Sequence, residues 1–155
     1  MDVAPKMLAY LVVATEEVFE RMVKPVTAHP PLDGNVPRPP SHVVATVAFA
    51  GHRRGLVAFH SSLSAAREIA GAMLGVHAEA VNGEMPDAIG EIANMIAGSF
   101  RTKLAATEPA SAIAIPTVTF GSDFSTRYGG SVSRALCPFR MGDQQIYVEL
   151  IITGD

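Results

Sequence analysis

The stretch Met85 to Leu104, MPDAIGEIANMIAGSFRTKL, constrains this chain more than any other, because it keeps one helical period over its whole length. Ile89, Ile92, Ala93, Ile96, Phe100 and Leu104 recur at intervals of three and four, the spacing of a stripe buried against a core. The opposite side carries Asp87, Glu91 and Asn94, so a carboxylate and a carboxamide project side by side. Gly90 and Gly98 lie one turn either side of Asn94 on that face, where each costs roughly 1 kcal/mol of helix stability relative to Ala. The pattern reads as a helix face cleared for close approach of another molecule, with Asn94 at its centre.

The rest of the chain reads as a frame for this helix. At 155 residues it is one domain's worth and long enough to bury a core without staples. A net charge of -3 with only 12 Lys plus Arg, and no basic run, argues against a nucleic-acid or anionic-membrane surface. Glu, Arg, His or Pro interrupts the apolar windows well before the length that spans a bilayer. The N-terminal stretch lacks a basic start and runs into an amphipathic pattern with acidic residues, so it reads as a mature helix and not a signal peptide. A single cysteine cannot form an intrachain disulfide, and a reducing, cytoplasmic setting is expected.

Taken in order, Pro5 to Lys24 forms a helix with Leu8, Leu11, Thr15, Val18, Phe19 and Met22 inward, ended by Pro25. Pro30 to Pro40 is a proline-rich surface loop or extended segment. HVVATVAFA (42–50) and LVAFHS (56–61) read as an antiparallel hairpin with a Gly-bounded loop, the first strand apolar on both faces and so centrally placed. Ser61 to Ser64 offers N-caps for a helix to about Leu74, which Gly75 stops. After the Met85 helix come strands at 112–120, 131–139 and 144–153. The last alternates, with Ile146, Val148, Leu150 and Ile152 inward and Gln145, Tyr147 and Glu149 outward. Pro116 cannot donate to a ladder and belongs at an edge, a bulge or a strand end. The sum is an α+β fold, an antiparallel or mixed sheet with two long helices and a shorter one packed on it. Each long helix is followed by strands, which suggests two related halves. The first half has no Glu-x-x-Asn, so one polar site is expected and not two.

Asp87-x-x-x-Glu91-x-x-Asn94, with 21 residues between Asn94 and Pro116, resembles the signature of the CheX branch of the CheC/CheX/FliY chemotaxis phosphatases. The surroundings match as well: a Gly-containing hairpin before a helix, GEIANMIAG, and a Pro-bearing strand leading to Gly121. The resemblance implies one CheX-like domain over 1–155 with a pseudo-twofold fold, acting on a phosphorylated CheY-like receiver protein. It implies that Asn94 orients the hydrolytic water and that Glu91 docks the receiver's phosphate-adjacent lysine, these two being the catalytic pair. Asp87, Gly90, Gly98 and Pro116 are the expected partner-binding residues. The protein would need no metal or cofactor of its own, Mg2+ coming with the receiver, and a homodimer is expected.

Residue chemistry is compatible with that role without the resemblance. Phosphoryl transfer through a loose transition state needs little covalent help, so orienting an in-line water is a sufficient contribution. An amide can accept from water through its oxygen and donate through its nitrogen without competing as a nucleophile. Other readings stand beside these. Asp87 also suits the first turn of a helix as an acid facing its dipole, and Pro116 suits a plain edge strand. His29, His42, His52, His60 and His77 show no metal-ligand spacing. Cys137 alternates with apolar residues like a buried small hydrophobe, and no nucleophile elbow frames a serine. A non-catalytic receiver-binding or scaffold module is the alternative function.

Overall fold

The computed structural model describes residues 3–33, 41–130 and 132–153. Three helices form one layer: α1 (Pro5–Met22), α2 (Leu63–Leu74) and α3 (Met85–Leu104). They pack on a single sheet made of β1 (Thr27–Ala28), β2 (Leu32–Asp33), β3 (Ser41–Ala50), β4 (Arg54–Ser61), β5 (Ala112–Ile113), β6 (Thr117–Phe124), β7 (Val132–Met141) and β8 (Gln144–Thr153). All pairings among the described residues are antiparallel, in the order β1-β7-β8-β4-β3-β5, with β2 also on β7 and β6 also on β3. The order has an internal symmetry. The hairpins β3-β4 and β7-β8 meet through β4 and β8 at the centre, and β1 and β2, which follow α1, flank β7 while β5 and β6, which follow α3, flank β3. Each half therefore closes the other's sheet, which is the pseudo-twofold arrangement the sequence suggested.

Local chemistry explains most of the boundaries. The Ser62 hydroxyl accepts from the Ala65 N–H at 3.0 Å to start α2, and Gly75 ends it at φ 72°. Gly55 is fixed by close approach, since a Cβ there would lie 2.1 Å from the Ile151 carbonyl oxygen of β8. The core joins the inner faces of all three helices to Val43, Ala45, Val47, Val57, Phe59, Cys137, Phe139, Ile146, Val148 and Leu150 of the sheet. Cys137 is fully buried there, and burial pushes its thiol up to about 12, leaving it a neutral core residue.

Several expectations change. The first helix ends at Met22, two residues early. The strand expected over 112–120 is broken into β5 and β6 around Pro116. From Phe49↔Ile113 to Thr46↔Thr117 the chain spends one residue more than β3 does, a bulge at the residue that has no N–H to give. β6 continues to Phe124, past the expected strand end at Phe120. Most of the proline-rich segment, 34–40, lies outside the described residues, but Leu32–Asp33 within it is a strand.

Glu149 points away from the helices as its alternation requires, yet it is fully buried and not solvated. Its Oε1 lies 3.0 Å from His60 Nε2 and its Oε2 accepts from Arg134 Nε at 2.5 Å, while His60 Nδ1 is 3.3 Å from Ser41 Oγ. This polar chain ties β3, β4, β8 and β7 together on the face opposite the helices.

Candidate active site

α3 is the middle helix, packed against α1 on one flank and α2 on the other, with β3, β4 and β6 beneath it. Its apolar stripe behaves as the period demands: Ile89, Ile92, Ala93, Ile96, Phe100 and Leu104 are all buried. Pro86 in the first turn and Asp87 beside it favour the start, and Arg101 and Lys103 suit the negative end. Just before the helix, Glu84 accepts from the Asn82 N–H at 2.9 Å, and backbone hydrogen bonds hold its carboxyl below the usual range. Lys103 Nζ meets Glu17 Oε2 at 3.0 Å and fastens α3 to α1.

On the outer face Asp87 and Glu91 are exposed and Asn94 is half-buried. Spaced by four and three, they form a single row. Among the described residues, none of these three side chains takes part in a hydrogen bond or ion pair. A helix that leaves two carboxylates and an amide uncommitted in one row offers cation docking and a paired donor and acceptor to whatever approaches. Gly98, one turn on, has no atom within 4 Å of where a Cβ would sit, so that part of the face is open.

Gly90 differs from the expectation of a bared surface. It is buried, and a Cβ there would lie 3.3 Å from Val118 Cγ2 and 3.5 Å from Pro116 Cγ. The missing side chain lets β6 and the bulge settle on the helix, so Gly90 serves the protein's own packing. That contact brings Pro116 against α3 one turn from Asn94. Nearby in the chain are Ile115 at 87% and Phe120 at 62% exposure, the two most exposed large apolar side chains among the described residues, neither of them marked out by sequence pattern. Nothing in a β-branched and aromatic run says which residue an edge leaves uncovered.

Of the histidines, His60 is buried in the polar chain described above, His42 is half-buried, and His29, His52 and His77 are exposed. Among the described residues no three His, Cys, Asp or Glu side chains come together as a metal site, and no helix is long and apolar enough to cross a membrane.

This architecture is that of solved chemotaxis proteins. A CheX from Desulfovibrio desulfuricans superposes with a TM-score of 0.86 at 23% identity, covering 94% of this chain and 98% of the other. A CheX from Vibrio vulnificus gives 0.86 at 22% identity over the same shares. The CheX of a CheX–CheY–BeF3–Mg complex from Borrelia burgdorferi gives 0.81 at 20% identity, covering 96% and 98%. No curated protein sequence matches the chain. The fold is thus that of the CheC/CheX/FliY superfamily. Residues 43–140 match the family model described as chemotaxis phosphatase CheX, and the chain belongs to that family.

Proposed function

We propose that the protein is a phosphatase of a phosphorylated CheY-like receiver domain. The observation that carries this reading is the row Asp87, Glu91, Asn94 on the outer face of α3, uncommitted within the chain and flanked by the Pro116 bulge. Glu91 docks the receiver lysine next to the phosphate, a charge-assisted contact that fixes the helix over the site. Asn94 enters beside it and orients a water in line with the phosphorus. The water oxygen forms the new P–O bond while the bond from phosphorus to the aspartyl oxygen breaks. The products are inorganic phosphate and the free aspartate, and the water's protons leave with the phosphate and solvent. A Mg2+ ion carried by the receiver would supply charge compensation for the transferring group. Asp87 extends the acidic row toward the partner, Gly98 leaves room for it, and Pro116 with Gly90 shapes the flank.

The CheX–CheY assembly described for the Borrelia burgdorferi protein supports a receiver as the partner class. A homodimer is part of the same proposal, since β6 at one margin of the sheet offers backbone groups that a second copy can pair. One cysteine, deeply buried, suits the reducing cytoplasm in which such a receiver works.

The alternative is a scaffold that docks the same partner through the same face and hydrolyses nothing. A receiver labelled from acetyl phosphate, followed with and without this protein, separates the two. Phosphate loss accelerated at least tenfold supports the phosphatase. Co-elution with an unchanged rate of loss overturns it in favour of the scaffold.

A further inference from the structure

We propose that Ile115 and Phe120 form an apolar shoulder that seats the receiver domain alongside Glu91 and Asn94; this rests on the phosphatase reading and adds how the partner is held. The placement follows from register. Val118 and Phe120 lie opposite Ala45 and Val43, both core residues, so their side chains point to the helix side of the sheet. Val118 packs under Gly90, and Phe49 of β3 meets Phe100 with ring centroids 5.9 Å apart, so α3 runs parallel to β3 and antiparallel to β6. Phe120 therefore lies toward the Asp87 end of the row, and Ile115, just before Pro116, toward the Asn94 end.

Phe120 thus stands on the same side of the sheet as the polar row, and Ile115, exposed at the bulge beside Pro116, extends the apolar strip along that margin. The other exposed large apolar side chains among the described residues, Val13, Leu32, Leu63, Leu74 and Val76, are 36–46% exposed. They lie on α1, β2, and α2 with the turn after it. Charge selects the occupant. The row carries Asp87 and Glu91, while the cations of α3 are confined to its last turn at Arg101 and Lys103. A second copy meeting this face about a twofold would set acid against acid, whereas a receiver brings a lysine to it. The apolar strip supplies what the charges do not, desolvated area that holds the partner long enough for the water to attack.

The test is steady-state dephosphorylation by the full-length protein carrying Ile115→Ser and Phe120→Ser together, with affinity for the beryllofluoride-loaded receiver measured in parallel. The half-saturating receiver concentration should rise about tenfold or more. The saturating rate should stay within about twofold, the beryllofluoride affinity should fall by the same factor as the half-saturation rises, and Phe120→Leu should stay near wild type. Both residues are exposed, so folding is not at risk, and an unchanged thermal transition verifies that. Unchanged half-saturation and affinity overturn the shoulder while leaving the phosphatase standing. Loss of self-association in sedimentation that fully accounts for the weaker binding also overturns it. If the wild-type protein accelerates no phosphate loss, the phosphatase reading fails, and the beryllofluoride affinities alone then decide the shoulder.

Discussion

Gly90 and Gly98 sit one turn either side of Asn94 and answer to different neighbours. At Gly98 nothing lies within 4 Å of a would-be Cβ, so Gly98→Ala should gain helix propensity, about 1 kcal/mol, and raise the thermal midpoint by a few degrees. At Gly90 the same gain is offset, because Val118 Cγ2 at 3.3 Å must give way. Gly90→Ala should be near neutral, and Gly90→Leu should lose about 1–3 kcal/mol by prying β6 from the helix. Thermal unfolding of the three variants checks this; equal stabilisation by both alanines would show that Gly90 does not hold the Pro116 flank. The two positions look alike in the sequence because helical spacing reports which face a residue is on and not what lies across from it.

The elements were legible in proportion to their length and period. α3 was read to its end residues, and the β3-β4 hairpin nearly so, since long runs of one period outweigh local noise. Two-residue strands such as β1 and β2 carry no period, and their existence depends on β7 passing nearby. Glu149 shows the other gap. Its alternation gave the face, but its burial depends on His60, Arg134 and Ser41 arriving from three other strands. Removing one partner from such a chain strands the others, so Glu149→Ala should cost roughly 3–5 kcal/mol, with Glu149→Gln losing less because it can still hydrogen-bond His60. Denaturant titration measures both; a loss under about 1 kcal/mol for the alanine variant would mean the chain is solvated in practice. Of the candidate site, spacing gave the shared outer face of Glu91 and Asn94, and their proposed roles came only with the family resemblance. Ile115 and Phe120 were not legible, because exposure at a sheet margin is a property of the assembled sheet.

Across the assembled sheet, two similar halves exchange the strands that follow their long helices, and only one carries the polar row. Counting from the proline in the first turn of each long helix, Lys6, Tyr10 and Val13 of α1 stand where α3 has Asp87, Glu91 and Asn94. Tyr10 and Val13 cannot dock a lysine or orient a water, so the function proposed rests on α3 alone. The measurement that bears on it most directly is the rate of receiver dephosphorylation at saturating protein, wild type against Asn94→Ala. Asn94→Ala should lose at least about a hundredfold in rate, of the order expected for losing one positioned catalytic group, while affinity for the beryllofluoride-loaded receiver stays within a few-fold. An unchanged rate at saturation would contradict it.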